Sequence, residues 1–176
     1  DWATATDAPK SSELEFGDDD LKTFVEEVME PANAMRGDAI PVSAFDKMAS
    51  GVLPLGSAAY ERRTIAIDVP EWIPENCIQC NRCSYVCPHA TIRPFVMTDE
   101  ELAAAPEGVQ SVKLNGKGVE GLHFSVIVSP RDCVGCGSCV NVCPAKNKAL
   151  ALRPVEERLH TQPIFDYAKK NLYNKD

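Results

Sequence analysis

The sequence predicts an α+β fold made of two copies of one unit, with long additions before, between and after them. Three observations predict it. A twelve-residue pattern occurs twice, as CIQCNRCSYVCP from Cys77 to Pro88 and as CVGCGSCVNVCP from Cys133 to Pro144. Each copy lies between two short runs of the kind that form strands. The two units with their insertion fill residues 64–154, so much of the 176-residue chain lies outside them.

Composition bounds the additions. The chain is 44% hydrophobic, enough for a real core, but thirteen prolines and 7% aromatics point to loops and arms rather than one large core. The net charge of −8 is uneven. Residues 1–70 carry fourteen acids and six bases, whereas 71–154 carry eight of each and 155–176 four of each. No basic patch suited to nucleic acid occurs. No apolar run approaches a membrane span and no signal peptide opens the chain, which predicts a cytoplasmic protein without a membrane partner. A chain beginning at Asp1 is expected to be processed or part of something longer.

In chain order, Leu21, Phe24, Val25, Val28 and Met29 follow an acidic start at helical spacing. They predict an amphipathic helix from Asp19 to about Glu30, stopped by Pro31 and Ala32, whose apolar stripe is for packing. Residues 31–63, with three prolines and three glycines, read as an extended connector, so 1–63 form an N-terminal arm. TIAIDVP (64–70) and TIRPFVM (91–97) are strands on either side of the first motif. An insertion over 97–121 follows. In it Thr98 and Glu101 form a capping box that starts a short helix. SVKLNGKGVEGLHFSVIV then reads as a hairpin with its turn at Asn115–Gly118, placed either to shield the motifs or to extend a sheet. LHFSVIVS (122–129) and KALALRP (148–154) are strands flanking the second motif. The tail, 155–176, has few apolar anchors: Leu159, Ile164, Phe165, Tyr167, Leu172 and Tyr173. Alone it is expected to be poorly fixed, a connector to a further domain.

All eight cysteines fall within the two motifs. A disulfide framework scatters cysteines through a small secreted chain. A zinc ribbon offers two C-x2-C pairs separated by a longer loop. Here the spacings are three, three and four, then Pro, which is the bacterial four-iron cluster run. Three thiolates on one tight loop reach three iron corners, while the fourth points to the other side and serves the other cluster. The motif pair thus predicts two [4Fe-4S] clusters. Cluster one takes Cys77, Cys80, Cys83 and Cys143. Cluster two takes Cys133, Cys136, Cys139 and Cys87. Gly135 and Gly137 let backbone N–H groups approach sulfur, where Gln79 and Asn81 stand in the first loop, so the clusters are expected to differ in potential. Tyr85 is either a cluster contact or a core aromatic. His89 is read as a surface or capping residue, not a ligand.

The repeated strand, cluster loop, short helix, strand unit resembles the bacterial two-cluster ferredoxin fold with its pseudo-two-fold axis. The resemblance goes further. GDAIPVSAF (37–45), LPLGSAAYERRTIAIDVPEWIPENCIQCNRC (53–83), CPHATIRPFV (87–96) and CVGCGSCVNVCPAKNKAL (133–150) are similar to the ferredoxin-like domain of the pyruvate:ferredoxin (flavodoxin) oxidoreductase family. It covers roughly residues 20–160 and includes stretches without cysteine. It implies a module of a homo-oligomeric 2-oxoacid oxidoreductase that carries electrons toward ferredoxin or flavodoxin. Thiamine diphosphate, Mg2+ and a third cluster are then expected on other domains. Gly37-Asp38 is followed by Ala39 and no asparagine pair comes after, so no thiamine motif is present, and no catalytic residue is assigned here. A free-standing two-cluster carrier is the competing reading.

Overall fold

The structure, a computed structural model, describes residues 18–61 and 64–173. The start of the expected arm, 1–17, and the last three residues of the tail lie outside the described residues. The chain divides into two compact units, Asp1–Arg63 and Thr64–Asp176.

In the first unit, helix α1 (Asp19–Phe24) is capped by Asp18, whose carboxylate accepts the Leu21 N–H at 2.7 Å. The helix does not stop at Pro31. It widens into a π turn (Val25–Met29) and continues as α2 (Glu30–Asn33), with the Glu30 N–H donating to the Val25 carbonyl. A proline has no N–H to donate, and the wider turn just ahead of it lets the chain pass without losing the helix. Leu21, Phe24, Val25 and Val28 are buried on one face. Residues 31–61 are not the extended connector expected. Three 3-10 segments (Gly37–Ala39, Val42–Met48 and Ser57–Tyr60) fold back, so that Ile40, Ala44, Met48 and Tyr60 cover that face. An apolar helix stripe has to be buried by something, and here the chain's own next segment does it.

The second unit is built on two antiparallel sheets. Strand β1 (Asp68–Trp72) pairs with β5 (Leu150–Pro154), Trp72 facing Leu150. Strand β2 (Ile92–Met97) pairs with β4 (His123–Val128), and β3 (Val112–Lys113) adds to the other edge of β4. One-turn helices α3 (Arg82–Tyr85) and α5 (Ser138–Val142) follow the two cysteine loops. The first strand begins four residues later than its sequence pattern and runs past Pro70. Its partner explains this. Asp68 lies opposite Pro154, where β5 ends and helix α6 (Val155–Arg158) begins, so beyond it only the Val155 N–H, donating to the Ile67 carbonyl at 2.9 Å, continues the pairing. Pro70 is tolerated because a two-stranded ribbon leaves each strand an open edge. The last strand likewise begins at Leu150 rather than at 148.

The insertion starts at helix α4 (Asp99–Ala103), with both hydrogen bonds of the Thr98–Glu101 capping box formed. Its hairpin closes at Leu114, whose N–H donates to the Leu122 carbonyl at 2.9 Å, with a wider loop than a four-residue turn. The tail is not poorly fixed. Helix α7 (Gln162–Asn171) buries Ile164, Phe165 and Ala168, and Leu172 beyond it, against Met97 and Ile127 of the three-stranded sheet. Arg93 stacks over the Phe165 ring, 5.5 Å from its centroid. The anchors are few but share one helix face, and that face matches an apolar sheet face.

Candidate iron–sulfur site

Both cysteine loops use the same backbone device. Residues 79 and 81 of the first loop have φ of +58° each, and Gly135 and Gly137 of the second have φ of +69° and +73°. Two left-handed residues coil each loop, and in the second loop all three cysteines line one cavity. In each loop the N–H two residues after the first cysteine donates back to that sulfur. Gln79 donates to Cys77 Sγ and Gly135 to Cys133 Sγ, both at 3.4 Å. At this position the N–H···S contact is the same for glutamine and glycine. Gly135 is needed for a second reason: a Cβ there would lie 3.0 Å from the Asp68 carbonyl oxygen. Gln79 occupies a left-handed position without being glycine, and its side chain is tied at both ends. Its amide donates to the Lys113 carbonyl at 2.8 Å and its carbonyl accepts the Asn115 N–H at 2.9 Å.

The two motifs meet across the fold. Cys87 of the first motif lines one cavity with Cys133, Cys136 and Cys139 of the second, walled by Pro70, Thr91 and Ile92. Near the first loop, the chain after Cys143 is laid alongside residues 73–76. The Ile73 N–H donates to the Ala149 carbonyl at 2.8 Å and the Asn76 amide to the Lys148 carbonyl at 3.1 Å. The Ala149 N–H in turn donates to Cys143 Sγ at 3.5 Å. Cys77, Cys83, Cys87 and Cys139 all pack against one core cluster that contains Trp72, Ile92, Phe124 and Leu150. Trp72 and Phe124 meet there edge to face, 6.1 Å between centroids.

None of the eight cysteines is paired in a disulfide. Burial pushes the Cys83 and Cys139 thiols up to about 11, with the N–H groups of Ser84 and Val140 working the other way. Burial likewise raises Cys133, against the Gly135 N–H, and neighbouring Cys87 and Cys136 add to the rise. Burial acts to raise Cys87 too, but the hydroxyl and N–H of Thr91, together with the N–H groups of His89 and Ile92, outweigh it and hold the thiol below its ordinary value. The Ser138 hydroxyl and N–H lower Cys136. Thiols packed this closely repel one another as thiolates, so a cation must replace their protons for all to ionise.

Among the described residues no three His, Cys, Asp or Glu side chains gather closely enough for one metal ion. The four thiols around the second cavity surround a space instead of converging on a point. Soft sulfur donors of this kind, on coiled loops with amide N–H groups aimed at sulfur, fit a four-iron cluster. His89 is exposed at the cavity wall. Tyr85 is 84% exposed, so it is not a core aromatic; α3 turns it outward while Cys83 faces in. The sequence reading missed Thr91 and Ser138, since a hydroxyl near a cysteine has no pattern of its own.

Residues 76–147 match the family described as a 4Fe-4S dicluster domain, and residues 12–66 match a family described as EKR, a domain of unknown function. The second unit thus carries a dicluster domain that holds two [4Fe-4S] clusters. The chain is homologous over most of its length to the pyruvate:ferredoxin and pyruvate-flavodoxin oxidoreductases. It is 48% identical over 156 residues to a pyruvate:ferredoxin oxidoreductase of Moorella thermoacetica, covering 89% of this chain and 13% of that protein. It is 41% identical over 167 residues to a pyruvate-flavodoxin oxidoreductase of Klebsiella pneumoniae, covering 95% and 14%. It is 46% identical over 143 residues to a mitochondrial pyruvate dehydrogenase [NADP(+)] of Euglena gracilis, covering 81% and 7%. The chain thus spans about a seventh or less of these relatives. Among the described residues no helix is long and apolar enough to cross a membrane.

Proposed function

We propose that this chain is the internal electron wire of a 2-oxoacid oxidoreductase, acting between a cluster beside thiamine diphosphate and a ferredoxin or flavodoxin. The observation that carries it is Cys87: a cysteine of the first motif lines one cavity with three cysteines of the second. The ligand sets are then crossed. Cys133, Cys136, Cys139 and Cys87 hold one cluster, and Cys77, Cys80, Cys83 and Cys143 hold the other, in two halves related by a pseudo-two-fold axis. The strand pairing supports this, since β1 of the first half pairs with β5 of the second and β2 with β4.

A four-iron cluster with four thiolate ligands supplies one-electron transfer and has no open iron position for substrate. The residues do the rest. Residues 77–83 and 133–139 fix three sulfurs on each loop. Cys87 and Cys143 tie each loop to the opposite half, so neither site moves independently of the other. Trp72, Ile92, Phe124 and Leu150 keep water from the core on which both loops pack. Residues 64–154 form the two-cluster domain with its insertion at 97–121. The unit before it is compact in its own right and not the connector arm expected, and 155–176 lead toward a further domain of a cytoplasmic, homo-oligomeric parent enzyme. Decarboxylation of a 2-oxoacid needs a carbanion sink such as thiamine, held on that parent's other domains together with Mg2+.

The test is anaerobic. The 176-residue chain is reduced with dithionite, freed of excess reductant, and mixed with an oxidised ferredoxin or flavodoxin. Re-oxidation in one-electron steps is expected. With pyruvate, coenzyme A, thiamine diphosphate, Mg2+ and a viologen, no dye reduction is expected from this chain alone. Dye reduction by pyruvate, or no electron exchange with either acceptor, overturns the reading.

A further inference from the structure

The two sites are not equivalent where the second strand of each half begins. Thr91 precedes β2 and Ala149 precedes β5. Each donates its backbone N–H to the fourth cysteine of its own motif, Thr91 to Cys87 Sγ at 3.4 Å and Ala149 to Cys143 Sγ at 3.5 Å. Each also has its carbonyl taken by a neighbouring segment, that of Thr91 by the Ser129 N–H at 2.7 Å and that of Ala149 by the Ile73 N–H. Thr91 and Ala149 thus hold one position in the two halves. The difference is the side chain. Thr91 is 3% exposed and its Oγ1 lies 3.4 Å from Cys87 Sγ, where Ala149 has only a methyl. A second difference has the same sense. The Ser138 hydroxyl lies 3.5 Å from Cys136 Sγ, and the matching residue of the first loop is the exposed Arg82.

Building on the crossed ligand sets proposed above, we infer that Thr91, seconded by Ser138, raises the reduction potential of the cluster held by Cys87, Cys133, Cys136 and Cys139, offsetting that site's deeper burial. The argument turns on donors. An iron-bound thiolate has no proton to give, so both hydroxyls must donate to sulfur. Reduction adds one electron and no proton, taking a cluster from the 2+ to the 1+ state with no bond made or broken. The added negative charge spreads to sulfur, and a hydrogen bond to that sulfur strengthens, which favours the reduced state. Burial acts the other way, because it removes water from around the growing charge. Cys133 and Cys139 are buried, whereas none of Cys77, Cys80, Cys83 and Cys143 is. The site that water reaches least is the one supplied with hydroxyls. A threonine needed only for packing would be replaced by valine without moving a potential.

The experiment is a dithionite titration of the cluster-loaded 176-residue chain, followed by electron paramagnetic resonance, on wild type, Thr91→Val, Thr91→Ser and Ser138→Ala. Two midpoints are expected in wild type. Thr91→Val is expected to lower one of them, with the reduction equilibrium shifted about tenfold, or about 59 mV for one electron. The other midpoint stays put. Ser138→Ala lowers the same midpoint, and Thr91→Ser restores it. Iron content is measured on every sample. If wild type binds no iron, the cluster reading itself fails. If clusters are bound and neither Thr91→Val nor Ser138→Ala moves a midpoint, or the two variants move different midpoints, only the present inference fails. Should Thr91→Val not retain its clusters, Ser138→Ala decides alone.

Discussion

Gln79 and Gly135 hold the same backbone position in two different loops. Each is left-handed, and each donates its N–H at 3.4 Å to the sulfur of the cysteine two residues before it. Glycine adopts that conformation freely, whereas a residue with a Cβ is strained there by about 1–3 kcal/mol. The first loop tolerates the strain because the Gln79 amide is anchored to Lys113 and Asn115 of the insertion.

Gly135→Ala is therefore expected to destabilise the second unit by about 1–3 kcal/mol from backbone strain, before any contact with the Asp68 carbonyl is counted. Gln79→Ala keeps the strained backbone and loses both anchors, at about 1 kcal/mol for exposed hydrogen bonds. Anaerobic thermal bleaching of the visible absorbance ranks the two. Equal stability of Gly135→Ala and wild type would show that the loop conformation is not required.

The cluster-loaded chain is expected to contain about eight iron and eight acid-labile sulfide. Cys87→Ser is expected to perturb the cluster of Cys133, Cys136 and Cys139, and Cys143→Ser the cluster of Cys77, Cys80 and Cys83. Iron analysis and electron paramagnetic resonance of the two variants assign each loss. Zinc in place of iron, or damage confined to each cysteine's own motif, contradicts the crossed ligand sets.

Removing iron is expected to unfold the second unit. Cys77, Cys83, Cys87 and Cys139 pack on the same core as Trp72, Ile92, Phe124 and Leu150, so the loss of their anchoring reaches that core directly. Loss of visible absorbance under a chelator is expected to coincide with loss of NMR dispersion for Trp72 and Phe124. An apo form that kept native dispersion would rule this out.

Phe165→Ala is expected to cost about 3–5 kcal/mol, as for a large aromatic taken from a core. Phe165 is 3% exposed and packs with Met97, Ile127 and Ala168. Hydrogen exchange is expected to rise along Gln162–Asn171 and along β2 and β4 together. A change confined to the tail would mean that the helix rests on the sheet without supporting it.

The sequence alone determined the parts that depend on neighbours along the chain. Cysteine spacing, the prolines after each motif, the Thr98–Glu101 capping box and the strand-forming runs of β2 and β4 are local patterns, and local patterns survive without a partner. The boundaries that moved were set by partners. β1 begins at Asp68 because β5 ends at Pro154, and the helix passes Pro31 by widening one turn. The segment after it curls into 3-10 turns because Leu21, Phe24, Val25 and Val28 need a cover. The tail is fixed because Ile164, Phe165, Ala168 and Leu172 meet Met97 and Ile127, which no reading of residues 155–176 by themselves reveals. In the candidate site, the eight thiols were legible as ligands from their spacing. The grouping of Cys87 with the second motif was also an expectation of the spacing, and Cys87 does line that motif's cavity. Only the tertiary structure set the hydroxyls of Thr91 and Ser138 against sulfur, where the matching positions hold Ala149 and Arg82. The physical reason is range. A ligand loop is dictated within a dozen residues, but the groups that surround its sulfurs arrive from strands far apart in sequence and near only once the sheets have paired.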